Sequence, residues 1–204
     1  MIRISKYILV VFMITRINGI ASFSTGIIRQ TIIFDKNMPS VYLHKIPNTY
    51  EIPKKNIFSV EHIFPRSHLD KKDWNDMHNL IRTTNDLNVN RSNYKYTDIM
   101  TRDDNWIKLD YDNYVNHKER LFIPNTMSRG IISRAILYMT NEYKYDPEKI
   151  IDKDILLSWF YQYPPNKHEK YHNEIIQKLQ NKSNIFITKY NKKAKHIAKY
   201  LEKL

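Results

Sequence analysis

Cysteine is absent from the 204-residue chain. That excludes disulfides, thiolate metal sites and a cysteine nucleophile. Glycine occurs only 3 times, at Gly19, Gly26 and Gly130, too sparsely for a Gly-rich loop around a dinucleotide or a phosphate chain. Acidic residues are outnumbered, 21 Asp and Glu against 33 Lys and Arg, for a formal net charge of +12. Any metal held here must therefore rely on His, carboxylate, amide and water ligands. What is present points to a folded protein. Apolar residues make up 42% and tyrosines number 15, enough for a packed core and unlike a disordered polybasic tail. The basic excess favours a polyanionic partner, but lysine is spread along the whole chain, so charge alone selects no partner.

The first 21 residues read as a secretory signal. Arg3 and Lys6 precede the apolar run Tyr7–Ile14, and Gly19-Ile20-Ala21 supplies small residues at the cleavage positions. The run falls short of the ~20 residues that span a bilayer. The alternative is a buried first strand, which Arg16 inside the apolar region favours. On the signal reading the protein is secreted, periplasmic or lumenal, with no stable membrane association after cleavage. Residues 22–204 then form one domain and a monomer.

Residues 27–56 combine β-branched runs such as Thr31-Ile32-Ile33-Phe34 with Pro39, Pro47 and Pro53. They read as extended segments wrapping a core. Ile57-Phe58-Ser59-Val60 reads as a strand ending at Glu61-His62, and Leu80-Ile81 as a second. Thr83 or Thr84 is placed to cap a short helix towards Arg91. Residues 93–125 show no clear period and read as loop. Helices are expected over Arg129–Tyr143 behind a Ser128 cap, then Ile150–Tyr161, Glu169–Leu179 and Asn191–Leu204. The last presents Lys192, Lys193, Lys195, Lys199 and Lys203, either as a solvated face or as a contact to a nucleic-acid backbone. The fold class is therefore α+β, with strands early and a mainly helical half from about residue 126.

Two segments concentrate the side chains that phosphodiester hydrolysis requires. One is Val60-Glu61-His62-Ile63-Phe64-Pro65-Arg66-Ser67. The other starts at Asp76-Met77-His78-Asn79-Leu80 and resumes at Asn88 through Arg91, Ser92, Asn93 and Tyr94. Histidine is the side chain able to take a proton from water near neutral pH. Glu and Asn offer oxygen ligands to a hard cation, and an arginine can hold a phosphate oxygen. Adjacent residues on a strand face opposite ways, so Glu61 and His62 converge only where the strand bends. Asn88 must return to them from the helix. Trp74, Trp106 and Trp159 read as core residues.

Glu-His-Ile-x-Pro-x-Ser, Asp-Met-His-Asn-Leu and Asn-x-x-Arg-Ser-Asn-x-x-Tyr, in this order, resemble the endonuclease I family. Weaker likeness continues through Arg129-Gly130, Arg134-Ala135, Trp159, Glu169 and His172-Asn173, covering about residues 57–190 and leaving the first 56 unmatched. The resemblance implies a ββα-metal (His-Me finger) core at about 57–94. It implies His62 as general base, Glu61 and Asn88 as ligands of Mg²⁺ (Mn²⁺ or Ca²⁺ as substitutes), and either Arg66 or Arg91 as the phosphate-holding arginine. Asp76, Asn79 and Asn93 are expected to be structural. His78 is either structural or a support for Asn88 and the metal water. The implied activity is cleavage of DNA, and of RNA as a further substrate, with little sequence preference and 5′-phosphate products. A basic nucleic-acid-binding protein that has lost catalysis is the rival from another class.

Overall fold

The computed structural model describes residues 32–33, 35, 37–43, 58–102 and 104–190, so the leader and the lysine-rich segment 191–204 lie outside the described residues. Strands β1 (Phe58–His62) and β2 (Leu80–Thr84) form an antiparallel hairpin that sets Glu61 opposite Ile81 and His62 opposite Leu80. Three 3-10 turns, at Arg66–His68, Lys71–Asp73 and Met77–Asn79, make up the connection. β2 runs directly into helix α1 (Asn85–Arg91). Thr84 keeps an extended backbone while its side chain accepts a hydrogen bond from Leu87 N, satisfying one of the unpaired donors at a helix start. α1 packs back against both strands. Ser92 then stops the helix at φ 53° and ψ −125°, a conformation that suits glycine far better than an L side chain.

An N-terminal segment lies beside this unit. Ser40 bridges in parallel to Arg82, and Val41 N donates to Arg82 O at 2.9 Å. The Arg82 guanidinium, 1% exposed, donates to Ser40 Oγ and to the carbonyls of Ile33 and Met38. One buried cation thus ties two backbone carbonyls and a side-chain hydroxyl of the segment to the hairpin. Met38, Val41, Tyr42 and Leu43 enter the core as a wrapping segment should. Ile32 and Ile33 are helical, however, where the β-branched run reads as extended.

The largest difference from the sequence reading falls in residues 93–125. They contain a four-stranded sheet in the order β3-β6-β5-β4, built from β3 (Lys95–Tyr96), β4 (Trp106–Leu109), β5 (Asn113–Asn116) and β6 (Leu121–Ile123). Its strands have two to four residues, and β5 buries Asn113 and Asn116 completely. Polar residues at inward positions hide the period-2 pattern. Asn113 uses those amide groups, donating to Tyr42 O at 2.9 Å and accepting from Asn125 N at 3.0 Å.

The helical half follows the expected order with shifted ends. α2 spans Thr126–Tyr143 and is capped by Asn125, which accepts from Ser128 N, so Ser128 lies inside the helix instead of capping it. α3 (Lys153–Gln162) starts after Asp152, three residues later than the apolar pattern indicates, because Ile151 bridges to Tyr96. α4 (Lys167–Gln180) begins at an Asn166–Glu169 capping box, and α5 (Ile185–Thr188) is a single short turn. Ile132, Ala135, Ile136 and Met139 of α2 lie at the centre of the main core. Arg134 forms a buried bidentate pair with Glu169, at 2.8 and 2.7 Å, and also donates to Tyr163 O. Among the described residues no helix is long and apolar enough to cross a membrane.

Gly130 permits the approach of the α3–α4 connection to α2. A Cβ there would lie 2.5 Å from Tyr163 O and 2.7 Å from Arg134 Nη2. Gly130→Ala is expected to destabilise the protein by about 1–3 kcal/mol through overpacking. Urea unfolding followed by circular dichroism measures the loss.

Candidate active site

The end of β1, the turns that follow it and α1 enclose an open cleft of about 750 Å³, whose lining includes Glu61, His62, Arg66, Trp74, Asn88 and Asn93. Two features of the local fold deliver these groups. β1 alternates, with Ser59 and Glu61 buried and Val60 and His62 half-buried, so the adjacent Glu61 and His62 leave the strand on different faces. The chain then turns at once. Asn79 accepts from Phe64 N at 2.7 Å and donates to Phe64 O at 2.9 Å, which fixes the bend two residues beyond His62 and lets both side chains border the same space.

His62 Nε2 lies 3.0 Å from Trp74 O. A carbonyl oxygen only accepts, so Nε2 carries the proton, and the lone pair of the neutral ring is on Nδ1. Nδ1 is therefore the atom able to act as a base. Trp74 is accordingly not a core residue: it is half-buried on the cleft wall, its carbonyl orients His62, and the exposed Arg66 guanidinium lies 5.2 Å from its ring centroid. Asn88 donates through Nδ2 to Ser59 Oγ at 2.8 Å and to Val60 O at 3.3 Å. Its Oδ1 accepts no hydrogen bond from the described residues. The amide is held by its nitrogen with its oxygen left for another partner.

Glu61 is the most enclosed member, at 2% exposure. Its Oε1 accepts from Tyr42 OH at 2.9 Å and sits 3.1 Å from Arg91 Nη1. Tyr42 OH lies 2.6 Å from Tyr96 OH. Burial pushes the Glu61 carboxyl up to about 7, while the Arg91 charge and the tyrosine hydroxyls pull it back down. Arg91 is the other arginine that the resemblance offers for holding phosphate. Its guanidinium is 1% exposed, donates to the carbonyls of His62, Ile63 and Ser92, and lies 4.4 Å from the Tyr96 ring centroid. With both terminal nitrogens committed inward and Nε buried without a partner among the described residues, it braces the site, and Arg66 is the expected arginine left exposed on the cleft.

The remaining predicted residues separate by contact. Asp76 caps the Met77–Asn79 turn through His78 N and accepts from the hydroxyls of Tyr138 and Tyr143. His78 does not reach Asn88: it is 3% exposed, Nε2 faces Lys182 O at 3.1 Å, and the ring packs on Tyr138. Asn93 borders the cleft and bridges its walls, donating to Ser67 Oγ at 3.3 Å and accepting from Arg120 at 2.6 Å. Sequence reasoning missed Tyr42, Ser59, Arg120 and the Trp74 carbonyl. Tyr96 alone had a signal, as the aromatic residue ending the Asn-x-x-Arg-Ser-Asn-x-x-Tyr pattern.

Similarity to known proteins adds the family. Residues 29–191 match the Endonuclease I family model, and the chain belongs to that family. The match begins well before residue 57, taking in the N-terminal segment that carries Tyr42. The chain is 35% identical over 116 residues to an extracellular deoxyribonuclease of Aeromonas hydrophila, covering 56% of this chain and 49% of the relative. It is 34% identical over 115 residues to a periplasmic deoxyribonuclease of the same species, with 56% and 47% covered. It is also 28% identical over 112 residues to Endonuclease-1 of Buchnera aphidicola subsp. Baizongia pistaciae, with 55% and 45% covered. The chain spans about half the length of the curated relatives it matches.

Two expectations follow for stability. Removing the cation beside Glu61 strands a buried carboxylate, so Arg91→Met should cost roughly 3–5 kcal/mol in urea unfolding. The second concerns His172, whose buried Nε2 has no hydrogen-bond partner among the described residues and whose ring centroid lies 6.5 Å from that of His78. Burial, with the neighbouring His78 adding to it, lowers His172 to about 3, and burial lowers His78 as well. An unfolded chain protonates both from about pH 6.5 downward, before the native state does. Stability present above pH 6.5 should be lost as pH falls towards 3 through His172, by up to about 1.4 kcal/mol per pH unit, with His78 adding in the same direction. Urea midpoints at pH 7.5 and pH 5.0 measure it, and His172→Asn should flatten the dependence.

Proposed function

We propose that this chain is a metal-dependent endonuclease that hydrolyses DNA, and RNA as a further substrate, with little sequence preference. On this reading β1, β2 and α1 constitute a ββα-metal core. The single observation that carries the proposal is the meeting in one cleft of a carbonyl-oriented histidine, an amide oxygen to which no described residue donates and a carboxylate. The names of the similar deoxyribonucleases support it, as do the extracellular and periplasmic locations in those names, which agree with an exported protein.

Glu61 and Asn88 fit a hard cation, since both are oxygen donors and Asn88 Oδ1 is left unused by the described residues. Among those residues no three His, Asp or Glu side chains gather. Water and phosphate would complete the coordination, the arrangement Mg²⁺ favours over an all-protein cage. When bound, the ion would stabilise negative charge developing on the phosphate and on the departing oxygen. The residues themselves bind, orient and move the proton. His62 Nδ1 takes a proton from water, with Nε2–H anchored on Trp74 O so that the ring keeps its tautomer. The water oxygen forms its bond to phosphorus as the bond to the 3′ oxygen breaks, which leaves a 5′ phosphate. Arg66 on the open wall holds a phosphate oxygen. Arg91 keeps Glu61 in place and touches no substrate. Contacts to phosphate carry no base information, hence the weak sequence preference.

Supercoiled plasmid and RNA incubated with the purified chain and Mg²⁺ test this reading. Cleavage should occur, and EDTA should abolish it. His62→Ala should lower the rate by about 10²–10⁴-fold while DNA is still bound. Binding without nicking under any divalent ion would overturn catalysis in favour of a nucleic-acid-binding protein.

A further inference from the structure

The β5–β6 turn carries a cation that the chemistry above does not use and that meets the border of the cleft at Asn93. Residues 117–120 are all exposed, and this turn presents His117, Lys118, Glu119 and Arg120. Arg120 is held from several sides. Its backbone takes a left-handed conformation at φ 57°, and its carbonyl accepts from Lys95 N at 3.0 Å. Its guanidinium donates through Nη2 to Asn93 Oδ1 at 2.6 Å and lies 5.2 Å from the Tyr94 ring centroid. The Tyr94 hydroxyl in turn meets His117 Nδ1 at 3.2 Å. An exposed arginine ordinarily samples many rotamers at little gain. This one is fixed by a short hydrogen bond, a ring face and a constrained backbone, and no carboxylate is paired with it among the described residues.

Asn93 connects this device to the proposed chemistry. Its Oδ1 grips Arg120, its Nδ2 reaches Ser67 Oγ at 3.3 Å, and both Asn93 and Ser67 line the cleft that holds His62. Arg120 therefore stands at the cleft mouth beside Asn93, while Arg66 adjoins Ser67 in sequence on the other side of that bridge. Only one of the five donors of the Arg120 guanidinium is used in the contacts described. The others suit a phosphate oxygen, for which a planar, pre-oriented fork is well matched.

We propose that Arg120, preset by Asn93 and Tyr94 on the β5–β6 turn, is a second phosphate-binding point that grips the nucleic-acid backbone away from the scissile phosphate. This rests on the nuclease reading given above. It makes the substrate a polynucleotide long enough to reach both points. Specificity for length, without preference for sequence, follows.

The test measures binding of a fluorescent DNA duplex, longer than the cleft, by anisotropy across a range of salt concentrations in the His62→Ala background, together with plasmid nicking by the unaltered protein. Adding Arg120→Ala should weaken binding roughly 5- to 10-fold at low salt and lower the slope of log K against log salt by about 0.9, the signature of one lost phosphate contact. Arg120→Lys should recover the slope but only part of the affinity, since it keeps the charge and loses the fork. Lys170→Ala removes an exposed cation on α4 at a different hollow and should leave both quantities unchanged. Thermal melting of each variant confirms folding. If Arg120→Ala matches its parent in affinity and slope while the unaltered protein nicks plasmid, this inference falls and the nuclease reading stands. If Lys170→Ala lowers the slope as much, the effect is one of overall charge and the inference falls as well. If the unaltered protein neither binds nor nicks, the nuclease reading itself has failed.

Discussion

The buried pairing of Glu61 with Arg91 is the constraint around which the rest of the site is organised. A carboxylate and a guanidinium taken together out of water recover little net stability, because desolvation offsets their attraction. Their value lies in geometry. Once Arg91 is held by the His62, Ile63 and Ser92 carbonyls, it fixes the bend after β1, the end of α1 and the carboxylate in one arrangement. Tyr42 and Tyr96 complete the enclosure from two other parts of the chain. The carboxylate that borders the cleft is thereby aimed from behind by groups that never meet solvent.

A second layer of polar clamps supports the connection between the two hairpin strands. Asn79 holds the Phe64 backbone, Asp76 collects the hydroxyls of Tyr138 and Tyr143, and Gln180 accepts from Met77 N. Buried or half-buried amides and carboxylates do here what disulfides do in cysteine-bearing proteins, at a chain length where an apolar core already exists. Each such group has its hydrogen-bonding capacity met by backbone or phenol, the condition under which burying it is tolerable.

The parts of this structure legible in the sequence are those whose signal is local. Thr84 as a cap, the α1 helix behind it, the order of helices in the second half and the Glu61–His62 strand end all depend on residues within a few positions of one another. The small sheet within residues 93–125 escaped because Asn113 and Asn116 occupy inward positions that a hydrophobic pattern assigns to apolar side chains. The burial of Arg91, offered as the alternative to Arg66, was invisible for a related reason. An arginine in a motif resembles a phosphate ligand until its burial is known, and burial depends on Tyr96 and on the hairpin together. The Trp74 carbonyl has no side-chain signature at all. Tyr42 could not be anticipated because the segment bearing it carries no period and sits 19 residues from the carboxylate it meets.

The clamp between Met77 N and the Gln180 side chain spans 103 positions, and Tyr42 N reaches Ser128 Oγ across 86. Contacts of such separation close late in folding, since the loop entropy must be met before they form. During synthesis the hairpin and α1 leave the ribosome well before Gln180 exists, so the turn that precedes β2 lacks one of its tethers. The geometry of the cleft consequently depends on α4 having been made, and a chain that stops before Gln180 carries the motif residues without the frame that aligns them.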